Sequence, residues 1–204
     1  LTYTGFHFLS AEKNNLIKRH KKIRIDLNTI AKGYGVDIIF DYIKSLGYEN
    51  IFVEIGGEVR LSGHNRNLDK WSIGLENPPS RLGIAGEPFF GIFEGESAAV
   101  ATSANYRNFV DLDGTILGHT INPKTGFPVQ TNVLSVSVVA ETCMEADAWA
   151  TALMSLSYED GIKILDNFKN IGAAWLLKND QGTRIILKKG NFRILEPIFE
   201  MKKL

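Results

Sequence analysis

A glycine pair between two short β-rich segments constrains the fold of this 204-residue chain more than any other feature. Apolar and β-branched residues dominate Ile51–Ile55 and alternate with charged residues in Glu58–Leu61, and Gly56 and Gly57 lie between the two segments. Glycine adopts the positive φ angles of a tight turn without a steric penalty, so the pattern predicts a strand, a turn or bulge, and a second strand. Antiparallel neighbours are therefore expected in the sheet.

Three segments carry helical signals. Apolar residues recur at helical spacing over Lys32–Leu46, which predicts a helix there. Thr142 and Glu145 have the spacing of a capping box, so a second helix is expected to begin after Thr142 and to end near residue 156. Ser157 repeats the signal ahead of a helix that ends near residue 167.

Short strands alternate unevenly with these helices. Trp71–Leu75 is expected to continue the sheet of the glycine hairpin, because its apolar residues alternate. Further strands are predicted at Phe89–Phe93, Ala98–Thr102, Val133–Ala140, Ala173–Leu177, Arg184–Leu187 and Phe192–Leu195. This order favours an α+β fold, a mainly antiparallel sheet packed with helices, over a doubly wound parallel sheet. The length suits a single domain over residues 1–204.

Charge and hydropathy exclude two classes of protein. The 23 Lys and Arg residues balance the 23 Asp and Glu residues, so no net field attracts nucleic acid, and no nucleic acid is expected as a partner. Apolar runs such as Val133–Ala140 are far shorter than the roughly 18 residues of a membrane-spanning helix, so no transmembrane segment is expected. The chain begins at Leu1, so we expect a processed or trimmed product.

Asp147 and Thr151 lie four residues apart on the second predicted helix, so their side chains project from the same face. A carboxylate and a hydroxyl at this spacing suit Mg²⁺, which binds a few protein oxygens and leaves other positions to water or phosphate. The alternative is a solvated aspartate near the positive end of a helix, followed by a packed threonine.

Three further places suit a phosphorylated ligand or its chemistry. The residues of Asp26–Gly35 lead into the first helix, whose N-terminus and Lys32 favour phosphate; a capped helix with an exposed lysine is the alternative. Gly56–Glu58 allows a ligand to approach the backbone closely, unless it forms a plain glycine bulge. His119, in the loop of residues 118–130, suits an acid or base, or else a hydrogen-bonded surface residue.

Six segments follow one another in an order that is more specific than any of them alone. They are IDLNTIAKGYGVD (Ile25–Asp37), VEIGGEVRLSG (Val53–Gly63), WSIGLENP (Trp71–Pro78), AVATSANYR (Ala99–Arg107), HTINPKTGFPV (His119–Val129) and ADAWATAL (Ala146–Leu153). Together they resemble the ApbE-type flavin transferases, FAD:protein FMN transferases that were once described as thiamine-biosynthesis lipoproteins. The resemblance extends from Asp26 to about Leu156, which is most of the chain.

The resemblance implies an enzyme with an ApbE-like fold and a Mg²⁺-dependent reaction. FAD is split, its FMN half is attached through phosphate to a threonine hydroxyl of an acceptor protein, and AMP is released. A relative that only binds FAD, and a pyrophosphatase in which water replaces the threonine, are the alternatives. Family members are typically exported and often lipid-anchored, which implies a periplasmic location or the outer face of the cytoplasmic membrane. The implied acceptor is a membrane-bound redox subunit.

The resemblance also implies roles for individual residues. The implied metal ligands are Thr29, through its main-chain oxygen, and Asp147 and Thr151. The implied FAD contacts are Asp26, Lys32 and Ile121, with Gly56, Gly57, Glu58 and Ser103 as further candidates, and His119 is implicated in catalysis.

The sequence departs from the family pattern in three respects. Ala104 follows Thr102 and Ser103 where the motif usually reads TSG, and Asn122 replaces the usual aspartate of the HxIDP motif. Family members usually carry a long segment ahead of the first motif that supplies flavin and adenine contacts, whereas 25 residues precede Asp26 here. The domain is therefore expected to be truncated on its N-terminal side.

Overall fold

The computed structural model describes residues 2–78, 88–105, 109–112, 115–118, 120–129, 131–178 and 184–195. The α-helices in these ranges are α1 (Asn28–Ser45), α2 (Cys143–Met154) and α3 (Tyr158–Leu165), and Phe6–Phe8 forms a short 3₁₀ helix. The strands are β1 (Leu9–Glu12), β2 (Asn15–Lys18), β3 (Ile51–Ile55), β4 (Glu58–Ser62), β5 (Trp71–Glu76), β6 (Phe89–Gly95), β7 (Ser97–Ala104), β8 (Phe109–Leu112), β9 (Thr115–Gly118), β10 (Val133–Ala140), β11 (Gly172–Lys178), β12 (Arg184–Lys189) and β13 (Phe192–Ile194). No helix in these ranges is long and apolar enough to cross a membrane.

Six strands form the main sheet in the order β12-β11-β10-β7-β4-β3, and each pairs antiparallel with its neighbours. The glycine hairpin is confirmed, because β3 and β4 pair up to Ile55 opposite Glu58. The turn between them has φ angles of 61° at Gly56 and 98° at Gly57, which glycine adopts without strain. The α+β class with a mainly antiparallel sheet is confirmed as well.

The main sheet is apolar on both faces because its strands alternate between two cores. Ala101, Val136 and Trp175 belong to the core that α1 and α2 cover. Val100 and Leu176, at adjoining positions in the same strands, belong to a second core shared with a small sheet of order β13-β6-β5. The result is a layer of helices, the main sheet, and the small sheet.

The small sheet corrects one expectation, since the strand predicted at Trp71–Leu75 does not continue the main sheet. It forms β5 and pairs with β6, from Trp71 opposite Gly95. Its alternation shows which residues share a buried face, and the buried Leu75 lies in the core between the two sheets. The strand therefore covers a face of the main sheet instead of extending its edge. Two hairpins, β1 with β2 and β8 with β9, are not predicted from the sequence.

Helix α1 begins at Asn28, four residues before the predicted start at Lys32. The Asp26 carboxylate accepts a hydrogen bond of 2.9 Å from the Asn28 N–H, which satisfies one of the free donors at this end. Thr29 and Lys32 therefore both lie in the first two turns of the helix. The other predicted helices and strands agree with the structure to within two residues at each end.

A carboxylate of α1 caps the N-terminus of α2. Asp37 accepts hydrogen bonds of 2.9 Å from the backbone N–H groups of both Cys143 and Met144, and Arg60 holds Asp37 with a third bond of 2.9 Å. The N-cap residue Thr142 accepts the next N–H at 3.3 Å, as its capping-box spacing predicts. The first free donors of α2 are thus satisfied, and the cap joins the two helices.

We expect Asp37→Asn to lower the free energy of unfolding by about 1–3 kcal/mol, because charged hydrogen bonds to α2 and to Arg60 are lost. Asp41→Asn is the matched control. Asp41 also pairs with Arg60, at 3.1 Å, but its side chain is 63% exposed. The cost of that substitution should stay below about 1 kcal/mol. Urea unfolding at neutral pH measures both variants, and equal losses would show that the cap contributes nothing specific.

Candidate active site

Two helices and the glycine hairpin meet on the helical face of the main sheet. α1 contributes its N-terminal turns, α2 contributes Asp147 and Thr151, and the hairpin contributes Glu58, directly after the turn. Asp147 is 4% exposed, and its Oδ2 accepts a hydrogen bond of 3.0 Å from the backbone N–H of Gly33. We call this place the helix junction: the N-terminal turns of α1, the residues of α2 from Cys143 to Thr151, Ser103, and the turn from Gly56 to Glu58.

Gly33 lets the two helices approach closely. A Cβ at this position would lie 2.3 Å from the carbonyl oxygen of Cys143, which is nearer than any side chain can come. A regular helix directs the N–H of residue 33 at the carbonyl of Thr29, four positions earlier. The Asp147 carboxylate thus accepts a hydrogen bond from the same Gly33 N–H that a regular helix would direct at the Thr29 carbonyl.

Lys32 and Glu58 form an ion pair at the helix junction. The ammonium donates to Glu58 Oε1 at 2.5 Å, and the Lys32 side chain is 50% exposed whereas that of Glu58 is 2% exposed. The other carboxylate oxygen of Glu58, Oε2, is buried and has no hydrogen-bond partner within the described residues. A buried oxygen without a donor costs stability, so packing alone does not explain a carboxylate here.

Two hydroxyl groups meet one helical turn beyond Asp147. The Oγ1 of Thr151 and the Oγ of Ser103 are 3.2 Å apart, within hydrogen-bond distance. Thr151 lies one helical turn after Asp147 on α2, and Ser103 lies on β7. The structure thus gathers carboxylate and hydroxyl oxygens along one side of α2.

Burial raises the pKa of Asp147, and the Gly33 N–H and the Lys32 charge oppose this shift. Burial also raises the pKa of Glu58; its bond to Lys32 and the Lys32 charge lower the pKa, and the negative charge of Asp147 raises it further. Two buried carboxylates therefore face one ammonium, an arrangement that favours binding of a cation. Burial raises the pKa of the Cys143 thiol as well, so this cysteine is not a thiolate nucleophile.

The oxygen donors at the helix junction fit Mg²⁺. The Asp147 carboxylate, the Thr151 hydroxyl and the Thr29 carbonyl are all oxygen ligands, which Mg²⁺ prefers when water and phosphate complete its coordination. Within the described ranges, no group of three or more His, Cys, Asp or Glu side chains is placed to hold a metal. The fit therefore rests on a mixed set of one carboxylate, one hydroxyl and one main-chain oxygen.

Most of the site residues expected from the sequence come together. Those at the helix junction are Thr29, Lys32, Gly56, Gly57, Glu58, Ser103, Asp147 and Thr151. Asp26 lies just ahead of α1, and Ile121 is 51% exposed and forms an isolated bridge with Pro128. His119 lies outside the described residues. The roles of all these residues toward FAD and metal stay predictions.

Sequence reasoning does not single out Gly33, Asp37 or Arg60. Gly33 carries a signal, because a glycine inside a predicted helix costs about 1 kcal/mol relative to alanine and such a residue often marks close packing. The hydrogen bond from Cys143 to Asp37 joins residues 106 positions apart, and that from Arg60 to Asp37 spans 23 positions. Local spacing gives no signal for pairs of this kind.

Comparison with known proteins is decisive for the family. The sequence model of the ApbE family matches residues 1–175. The chain belongs to the ApbE family. A relative from Vibrio cholerae, named FAD:protein FMN transferase, is 41% identical over 179 residues, which are 88% of this chain and 52% of the relative. The protein of the same name from Escherichia coli K12 is 32% identical over 141 residues, which are 69% of this chain and 39% of the relative.

Solved structures of ApbE proteins share the fold. The flavin transferase ApbE from Vibrio cholerae superposes with a TM-score of 0.76 at 38% identity, over 92% of this chain and 57% of that structure. The ApbE protein from Thermotoga maritima gives a TM-score of 0.74 at 28% identity, over 89% of this chain and 57% of that structure. The chain thus spans about half the length of the ApbE relatives it matches.

Gly33→Ala is expected to destabilise the protein by several kcal/mol, because the new Cβ would collide with the Cys143 carbonyl oxygen, 2.3 Å away. Gly35→Ala is the matched control in the same helix, since among the described residues its Cβ would meet only Ile55 Cδ1, at 3.9 Å. Alanine is the better helix former, so Gly35→Ala should stabilise the protein by up to about 1 kcal/mol. Thermal unfolding compares them, and similar melting temperatures would refute the close approach at Gly33.

The stability of the metal-free protein is expected to depend on pH through Asp147. Because burial raises its pKa, the folded state holds this proton more tightly than the unfolded state. Stability therefore falls as the pH rises from the ordinary aspartate range through the raised pKa. Asp147→Asn removes this dependence. The free energy of unfolding of the variant, relative to that of the native protein, should therefore rise over this pH range only. Unfolding in chelator from about pH 4 to 8 measures it, and parallel pH curves would contradict it.

Proposed function

We propose that the helix junction binds Mg²⁺ and FAD and transfers the FMN half of FAD to a threonine hydroxyl of an acceptor protein, with AMP as the second product. The observation that carries the proposal is the meeting of Lys32, in the first turns of α1, with the buried carboxylates of Glu58 and Asp147. Cleavage of a pyrophosphate requires groups that neutralise its oxygens, and an ammonium and a helix N-terminus both do so. The name of the Vibrio cholerae relative supports the same reaction.

The chemistry balances as a displacement at phosphorus. The threonine oxygen forms a bond to the phosphorus of the FMN half, and that phosphorus loses its bond to the bridging oxygen, which leaves with AMP. Lys32 neutralises charge on the pyrophosphate. Asp147, Thr151 and the main-chain oxygen of Thr29 would hold the metal, which would supply positive charge to the transferring phosphoryl group. His119 is the proposed acceptor of the threonine proton, on the family resemblance.

The acceptor and the location follow from the resemblance to exported family members. We propose a membrane-bound redox subunit as the acceptor, and an exported protein that acts on the periplasmic side of the cytoplasmic membrane.

Asp147→Asn is expected to lower Mg²⁺-dependent FMN transfer by about 100-fold or more, because asparagine lacks the negative charge of the carboxylate, and Thr151→Val by about tenfold, because valine lacks the hydroxyl ligand. The transfer is measured as flavin fluorescence bound covalently to an acceptor protein that contains the modified threonine. FAD fluorescence titrations with and without Mg²⁺ measure binding separately. The matched control is Asp160→Asn, whose aspartate is 65% exposed on α3 and should leave the transfer rate unchanged.

Two outcomes would contradict the proposal. Full transfer activity in Asp147→Asn would refute the metal assignment. Release of free FMN and AMP, without any flavin on the acceptor, would show that water is the nucleophile and that the protein is a pyrophosphatase.

A further inference from the structure

Lys32 lies within electrostatic reach of two buried carboxylates but contacts only one of them. Its ammonium is 2.5 Å from Glu58 Oε1. Its charge also lowers the pKa of Asp147, although the two residues, both described, form no ion pair. Asp147 therefore keeps the Gly33 N–H as its hydrogen-bond donor and is not neutralised by the lysine.

The position of Glu58 is fixed by the sheet. Glu58 is the first residue of β4 and pairs with Ile55 across the turn, so its backbone cannot move without disrupting the hairpin. Its side chain is buried, whereas Lys32 reaches it from α1 along the Gly56 turn, where a Cβ would lie 3.8 Å from the lysine Cδ. The carboxylate of this ion pair is thus buried and fixed by the sheet, whereas the lysine side chain is half exposed to solvent.

We propose that Glu58 is a positioning residue that holds Lys32 away from Asp147 and so keeps the Asp147 carboxylate available to a divalent cation. The inference rests on the metal site of the proposed function. Without the Glu58 charge, the lysine can turn to Asp147, a buried carboxylate that is bonded to the backbone N–H of Gly33, the next residue along α1. An ammonium bound there occupies the carboxylate and repels a cation from the same place.

Two other roles for Glu58 make different predictions. If Glu58 attracts the cation directly, its loss weakens cation binding by the same factor whether or not Lys32 is present. If Glu58 serves only the stability of the hairpin, its loss lowers the melting temperature without changing where the lysine binds. A double-mutant cycle with Lys32 separates these roles from positioning.

The cycle comprises the native protein, Glu58→Gln, Lys32→Met and the double variant. Glutamine keeps the shape of Glu58, and methionine keeps an unbranched apolar stem at position 32. Titration with Mn²⁺, followed by electron paramagnetic resonance of the free ion, measures cation affinity without any enzyme turnover. We expect Glu58→Gln to weaken Mn²⁺ binding about tenfold when Lys32 is present, and by a much smaller factor in the Lys32→Met background. Equal factors in the two backgrounds would overturn the proposal.

A crystal structure of metal-free Glu58→Gln gives a second readout that needs no ligand. The proposal expects the Lys32 ammonium to form an ion pair with Asp147 in this variant. A lysine that stays at residue 58, or that turns into solvent, would overturn the proposal even if the variant bound Mn²⁺ weakly. Thermal unfolding of all four proteins confirms that they are folded under the conditions of the titration.

The outcomes also separate this inference from the proposed function. Coupling between the two substitutions in a protein that transfers no FMN would support the role of Glu58 and refute the transfer reaction. A native protein that transfers FMN but binds no Mn²⁺ would refute the role of Glu58 and leave a metal-independent transferase.

Discussion

The packing of α1 against α2 depends on two carboxylates, each of which binds the backbone of the opposite helix. Asp37 of α1 accepts the first two N–H groups of α2, and Asp147 of α2 accepts the N–H of Gly33 in α1. Buried donors and acceptors must find partners, so these bonds fix the sliding and the rotation of both helices together. Because Asp147 takes part in this reciprocal arrangement, the fold and the candidate metal site cannot vary independently.

Small residues make this arrangement possible. Gly33 allows the helix backbones to touch, and the buried Ala146 and Ala150 on α2 lie in one core with Ala99 and Ala101 of β7. Larger side chains at these positions would hold α2 away from the sheet. The Thr151 hydroxyl reaches Ser103 only because α2 lies this close to β7. Glycine at position 33 lowers the stability of the helix, but it allows the close contacts that position the site.

The sequence predicts the features that depend on neighbours along the chain. The glycine hairpin, the capping box at Thr142 and the shared face of Asp147 and Thr151 all follow from local spacing. The sequence does not predict which sheet β5 joins. The alternation of apolar and polar residues identifies the buried face of a strand, but it does not identify the layer that packs on that face. Nor does spacing reveal the contact of Asp147 with Gly33, which lie 114 positions apart. These distant segments are predicted to form one site only from the order of the motifs, through the family resemblance.

The electrostatics of the helix junction show that the stability of the fold alone does not explain why two carboxylates are buried there. Burial raises the pKa of both Asp147 and Glu58, which means that each ionised carboxylate carries a cost in the folded protein. One lysine, half exposed, offsets this cost for Glu58 and does not contact Asp147. A protein selected for stability would replace such a carboxylate with a neutral side chain. Under the proposed function, a cation that binds the folded state would offset this cost, since ligand binding stabilises the state that contains the site.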